Sequence, residues 1–240
     1  AENAIIISPI HKIKRPTPTG HRETLGASFP DILFEIRDAF SQYILLRPIN
    51  LREVRVPRLV RRERMLTEDA TNLSNVLHTW LIDRGGKLPE RLEAALSALF
   101  PKMRIGLELT SDGRVFLKIY ENEVEIHPPC ISDGLYKILA ILMAIESRPS
   151  LLAIDEIENS LHAKTLEYII DELRNSGTTV IITTHSAIVA DIVRPEELLI
   201  AEKGPEGTTL NRIKKPEQVR EKMKHLGITQ SEMWLYGKLE

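Results

Sequence analysis

The spacing of apolar positions changes several times along the chain, and each change predicts a different element. Ile5 to Ile7 form a short apolar run ahead of Pro9, Pro16 and Pro18, which predicts a strand followed by an exposed loop through Gly26. From Pro30 to Leu46 the residues Ile32, Leu33, Ile36, Phe40 and Ile44 recur at helical spacing behind a cap at Ser28, which predicts an amphipathic helix. Helices are predicted again around Asn72 to Asp83, with Leu73, Val76, Leu77, Trp80 and Leu81 on one side, and from Pro89, as its first-turn residue, to Phe100. Arg84-Gly85-Gly86-Lys87 is the turn between them. The spacing then drops to two. Ile105 to Leu109 and Val115 to Tyr120 alternate across Ser111-Asp112-Gly113, a hairpin signal, with Val124 to Ile126 as a candidate third strand.

Beyond Pro129 the pattern changes once more. A helix from about Asp133 to Glu146 leads to the apolar strand Leu151 to Ile154, then to a helix near Ala163 to Asn175 stopped at Gly177, and to the apolar strand Val180 to Thr184. Strand, helix and strand at this spacing imply parallel pairing through a right-handed crossover. The expected fold class is α/β, with a parallel sheet in the carboxy-terminal half and a helical and antiparallel β accessory part before it.

Composition narrows the function classes. Hydrophobic residues make up 42% and charged residues 28%, enough for a core and far from a disordered composition. The formal charge is −2, so no overall excess announces a nucleic acid or a membrane surface as partner. A single cysteine, Cys130, excludes an internal disulfide framework and a Cys-rich metal site, fits a reducing compartment, and reads as a small buried residue. His78, His127 and His162 have no partners at zinc-ligand spacing. No apolar run reaches the roughly 20 residues that span a bilayer and no signal peptide opens the chain, so the expected location is the cytoplasm, away from the membrane. Leu99, Phe100 and Met103 read as core.

A local basic run stands out against this balance. Arg52, Arg55, Arg58, Arg61, Arg62 and Arg64 crowd one segment that Pro57 keeps from being a continuous helix. Interleaved Glu53 and Glu63 favour a solvated, ion-paired face, with a DNA contact as the alternative. No aromatic alternates with these arginines, so stacking on single strands is not indicated.

Four short signals follow in the second half. Asp155 and Glu156 close an apolar strand, which puts two carboxylates at the carboxyl edge of a parallel sheet; they suit a magnesium ion and an attacking water, and equally a strand running into a solvated helix cap. Thr183-Thr184-His185-Ser186 closes the next strand at the same edge, where an imidazole can donate to a phosphate oxygen or simply start a helix. Ser132-Asp133-Gly134, with Lys137 one turn on, opens a helix as an anion site or as an ordinary cap. Glu158-Asn159-Ser160-Leu161-His162 is a polar turn directly after the acidic pair, or a loop and cap.

At these residues, in this order, the chain resembles the ATP-binding-cassette (ABC) ATPases, and within them the RecF-like branch related to structural-maintenance-of-chromosomes (SMC) and double-strand-break-repair ATPases. Ser132-Asp133-Gly134 looks like the signature motif, Asp155-Glu156 like Walker B, Asn159-Ser160-Leu161-His162 like the D-loop, and Thr184-His185 like the switch histidine. Leu66 to Leu73 and Met233-Trp234-Leu235-Tyr236-Gly237 are also similar to segments of stand-alone RecF-like, AAA-type ATPases, so most of the chain is covered. The resemblance implies ATP and Mg2+ as cofactors, held between two subunits of an ATP-dependent homodimer. It implies Asp155 as the metal-site residue, Glu156 and His185 as catalytic residues on the nucleotide of the same subunit, and Ser132, Asp133, Gly134, Lys137, Asn159 and Ser160 as nucleotide contacts. Ser132 and Gly134 would reach the γ-phosphate held by the partner. Lys137 stands where such proteins often carry Arg, and Asp133 replaces the Gly of transporter signatures.

The phosphate loop Gly-x-x-x-x-Gly-Lys-Ser/Thr does not occur in these 240 residues. Around Gly85-Gly86-Lys87, Leu81 stands where the first Gly belongs and Leu88 where the hydroxyl residue belongs. The expectation is an ATPase portion without its Walker A lobe, with residues 1–130 as accessory part and 131–240 as the carboxy-terminal ABC lobe. Such a chain is expected to be catalytic in the intact protein, in DNA repair, chromosome handling or defence, and inactive alone. The competing reading is an ABC-like dimerisation module that no longer binds nucleotide.

Overall fold

The computed structural model describes residues 4–7 and 43–236. The proline-rich loop expected through Gly26 and most of the helix expected from Pro30 lie outside these residues. The described end of that helix, Tyr43–Leu46, is a strand, which corrects the helical reading of Ile44 and Leu46. Its backbone finds a parallel partner in Leu151–Ile154, in register from Tyr43 opposite Leu151 to Leu46 opposite Ile154. That pairing buries Ile44 and Leu46 on one face, a period of two that helical spacing cannot reproduce.

Two sheets organise the chain. The larger has six strands: β1 (Ala4–Ile7), β2 (Tyr43–Leu46), β7 (Leu151–Ile154), β8 (Thr179–Thr184), β9 (Leu198–Gly204) and β10 (Gly207–Arg212), in spatial order β10-β9-β1-β8-β7-β2. β7 and β8 are parallel, as the strand-helix-strand spacing predicts, and β2 adds a third parallel strand. β1 is antiparallel to both neighbours, β8 and β9. β1 and β2, which precede residue 131, belong to the same sheet as β7 to β10.

The smaller sheet is antiparallel, formed by β3 (Arg58–Leu59), β4 (Met103–Leu109), β5 (Arg114–Glu121) and β6 (Val124–Ile126). The β4–β5 hairpin turns at Gly113, whose φ of +77° supplies the left-handed residue the turn needs. Asn122 and Glu123, both at positive φ, make the tight turn into β6.

Helices cover the sheets: α1 (Leu51–Val54), α2 (Leu73–Asp83), α3 (Glu90–Leu99), α4 (Asp133–Glu146), α5 (Ala163–Arg174), α6 (Ala187–Ile192), α7 (Pro216–Leu226) and α8 (Gln230–Leu235). α4 is apolar on all faces save for Lys137, and every residue from Leu135 to Ile145 is buried as it lies against α3, α5 and β2. One continuous core joins α2, α3, α4, β5 and the parallel strands, and Leu99, Phe100 and Met103 pack against its rim. None of the described helices is long and apolar enough to cross a membrane.

The end of α5 is held by charge. Arg174 donates two hydrogen bonds to the Glu197 carboxylate, 3.0 and 2.8 Å, and a third to the Ile192 carbonyl. Burial pushes the Glu197 carboxyl up, but the Arg174 guanidinium and the Arg194 backbone N–H overcome it and hold the group below its usual range. A carboxylate so depressed stabilises the fold above the ordinary value of 4.5, and that stability is lost as pH falls through the native value. Glu197→Gln should therefore cost about 1–3 kcal/mol at pH 7. In urea denaturation its deficit against the parent chain should shrink steadily below pH 4.5.

Candidate functional site

The parallel register of β7 and β8 sets Ile154 opposite Ile182, so the residues that follow each strand meet at one sheet edge. The Asp155 N–H continues the ladder to the Leu46 carbonyl of β2 at 2.8 Å. The Thr183 hydroxyl donates to Asp155 Oδ1 and accepts the Glu156 N–H at 3.0 Å, fixing both acids against β8. Glu156 adopts a φ of +47°, a left-handed conformation that a non-glycine residue holds only when its surroundings impose it. Its carboxylate accepts a hydrogen bond from the Asn159 side-chain amide, so Asn159 orients the acid from within the same turn.

Glu158 ties this turn to the next strand. Its carboxylate accepts the Thr184 hydroxyl at 2.7 Å and the His185 backbone N–H at 2.9 Å. His185 itself is exposed at the start of α6. Asp155, Glu156, Asn159 and His185 thus come from two loops that cannot move independently without breaking the Thr183 and Glu158 bonds.

The start of α4 meets the same edge from the side. The Ser132 hydroxyl caps the helix by accepting the Leu135 N–H at 3.3 Å. Asp133 is ion-paired with Arg55, whose guanidinium also donates to the Ile131 carbonyl at 2.9 Å and lies 5.6 Å from the centre of the Tyr136 ring. Gly134 faces the Ser160 carbonyl so closely that a methyl group there would overlap it. Ser160 reaches this position through its own positive φ, +64°.

Lys137 is placed behind the edge and not on it. Only 4% of the residue is exposed, and its ammonium donates to the carbonyl oxygens of Asp155, 3.3 Å, and Glu156, 3.4 Å. Burial pushes its pKa down, and the nearby Asp155, Glu158 and Glu156 carboxylates recover only part of that shift. Its contacts are to the backbone of the acidic pair.

All nine residues singled out from the sequence therefore converge on one edge of the parallel sheet, eight around the opening and Lys137 beneath it. Sequence reasoning missed Thr183, Glu158 and Arg55 as organising groups. The first two stood inside the quoted motifs, but nothing in a one-dimensional pattern shows which hydroxyl or carboxylate turns inward. Cys130 is exposed, which corrects the expectation of a buried thiol: the turn Pro128–Cys130 directs it outward and gives the interior position to Ile131.

A family model described as "AAA domain, putative AbiEii toxin, Type IV TA system" matches residues 21–191, well over half of the chain and all of this site. The chain belongs to this family. It carries an AAA domain, with the acidic pair, the turn and the His185 loop all inside the matched region. Among solved structures it is similar to the Smc head domain with a coiled coil and joint derived from Pyrococcus yayanosii, at 13% identity and a TM-score of 0.42, over 56% of this chain and 28% of that one. It is also similar to an SmcHead bound to the C-winged helix domain of ScpA, at 11% identity and a TM-score of 0.43, over 70% of this chain and 54% of that one. The AAA-domain chain thus spans about a quarter and about half of the lengths of these two. No curated protein matches it.

The packing of Gly134 on the turn at Ser160 gives a direct check. Gly134→Ala should lower stability by about 1–3 kcal/mol, read as a fall in Tm, because the added methyl must displace backbone and not a flexible side chain. An unchanged Tm would show that the turn does not seat against α4 in this way.

Proposed function

We propose that this chain is the carboxy-terminal part of an ABC ATPase of the RecF/SMC type, in which ATP binding and hydrolysis at a subunit interface drive a conformational change. The observation that carries this reading is the locked arrangement of Asp155, Glu156 and the His185 loop at one carboxyl edge, where parallel α/β sheets bind ligands. Residues 131–240 supply that lobe.

The donor set at Asp155 fits Mg2+. Oxygen donors suit a hard cation, and Oδ2 stays available while Thr183 occupies Oδ1. Among the described residues no cluster of three or more His, Cys, Asp or Glu could hold a metal by protein ligands alone, so phosphate and water would complete its shell. The bound metal would supply charge neutralisation on the phosphates. Glu156, held by Asn159, positions and deprotonates the attacking water. His185 contacts the γ-phosphate, and Glu158 relays its loop position to the acidic turn. On the facing side, Ser132, Asp133, Gly134 and Ser160 present a hydroxyl, the α4 amino end and the turn to the nucleotide of a second copy. Lys137 contributes by holding α4 against the two acids.

The phosphate loop has to come from elsewhere. Such a loop leaves the carboxyl end of a strand at the Asp155 edge, whereas β1 runs the other way and ends with Ile7 level with Ile182 and Leu198. A Walker A lobe on a preceding segment or a separate polypeptide, and a homodimer formed with ATP, complete the site. The family description, which mentions a toxin–antitoxin system, supports defence over DNA repair as the output. The alternative of a non-catalytic dimerisation module is disfavoured by the retained acid at Glu156 and the amide bond that orients it.

Nucleotide titration and turnover assays test this. The isolated 240-residue chain should bind ATP more weakly than about 1 mM and show no turnover. In the assembly that contains a phosphate loop, Glu156→Gln should lower kcat by about 10²–10⁴-fold with ATP affinity nearly unchanged. Robust hydrolysis by the isolated chain, or an unaltered kcat in the variant, would overturn the reading.

A further inference from the structure

Away from the sheet edge, the basic run noted in the sequence forms a surface with two adjoining depressions. One, of about 300 Å3, is lined by Arg58, Arg61, Arg114 and Asn75 together with Glu53 and Glu63. The other, of about 180 Å3, is lined by Val60, Ile82 and the side chains around His78 and Thr79. Arg61 stands on the divide and borders both.

Of the cations here Arg61 stands without an ion pair among the described residues, while its neighbours Arg58, Arg62 and Arg64 have one. Arg58 reaches Glu53 only at 3.6 Å, and its Nε is buried with no hydrogen-bond partner. The Arg61 side chain makes no ion pair among the described residues; only its backbone N–H is engaged, to Asn75 Oδ1 at 3.2 Å. Arg62 and Arg64 share the single carboxylate of Asp83, at 2.8 and 3.6 Å. The Glu63 carboxylate is turned to the side-chain amides of Asn72 and Asn75 and makes no ion pair with Arg61.

Beside these cations large apolar side chains stand in solvent, with Leu59 51% and Ile82 66% exposed and Val56 and Val60 near them. The segment cannot fold them away. Its backbone is pinned to α2 by the Asn75 bonds at Leu59 and Arg61 and by the Thr79 hydroxyl at the Glu63 N–H, 3.1 Å. Exposed apolar groups held rigid beside the Arg61 guanidinium have the composition of a protein interface, preorganised at little entropic cost.

We propose that this surface docks a short acidic–apolar peptide segment of a partner protein, with an aliphatic or aromatic side chain in the Val60–Ile82 cleft and a carboxylate on Arg58 and Arg61. Arg61 borders both depressions, so a carboxylate on its guanidinium and an apolar side chain in the Val60–Ile82 cleft are neighbours. A nucleic acid matches the charge alone: it has no use for the apolar cleft, and no aromatic side chain lines either depression for base stacking.

The probe is a fluorescein-labelled synthetic helical peptide with leucines at i and i+4 and glutamates between them, titrated into the full chain beside a scrambled peptide of the same composition and a DNA duplex. The ordered peptide should bind with Kd on the order of 10 µM, weakening with salt. Arg61→Glu and, separately, Ile82→Asp should each weaken it about tenfold. Both positions are solvent-exposed, and circular dichroism verifies that the variants stay folded. Equal binding of the scrambled peptide, an affinity untouched by Ile82→Asp, or displacement of the peptide by the duplex would overturn the proposal.

Discussion

Taking a lysine ammonium out of water costs several kcal/mol unless acceptors and opposite charge replace the solvent, and the architecture around Lys137 is the answer to that cost. Its ammonium finds the carbonyl oxygens of Asp155 and Glu156, with three carboxylates close enough to offset part of the desolvation. Those carbonyls belong to the end of β7, so the bond decides how close the first turn of α4 comes to the parallel sheet. Gly134 then meets Ser160, Ser132 caps the helix at the same edge, and the buried apolar face of α4 closes over the core. An arginine at this position would carry the same charge into a space shaped for a compact point donor.

The second constraint is the hydroxyl and carboxylate pair Thr183 and Glu158, which joins two strand ends into one unit. A group that contacts His185 pulls on Glu158 through the backbone, and Glu158 sits two residues from Glu156. The positive φ of Glu156 holds the acid in a conformation it would leave if this network loosened. On the proposed function, sensing at His185 and chemistry at Glu156 would therefore be mechanically adjacent in this turn, with no long path between them.

Where local pattern and long-range pairing agreed, the fold was legible. α4, β7 and the β4–β5 hairpin lie close to where periodicity and turn residues put them, because their signals are local. β2 was not legible: Tyr43-Ile44-Leu45-Leu46 continues a helical spacing, and only the distant partner β7 makes it a strand. β10 has all six residues exposed and so shows no alternation, and the mostly exposed α7 carries little apolar signal. At the site, the residue types and their order were readable, but the inward turn of Lys137 was not, since a lysine one turn into a helix faces a ligand or a core according to what packs beside it.

The contact between Gly134 and the Ser160 carbonyl has a further consequence. Two surfaces that leave no room for a methyl group cannot slide past each other, so the turn and α4 behave as one rigid piece. α4 is a rod of 14 residues, about 21 Å long, and at its far end Glu146 meets Arg84 at 3.5 Å, next to the exposed tip of α2. The turn at one end of the rod and the Arg84–Glu146 pair at the other are thus joined by a single stiff element packed along its length in the core.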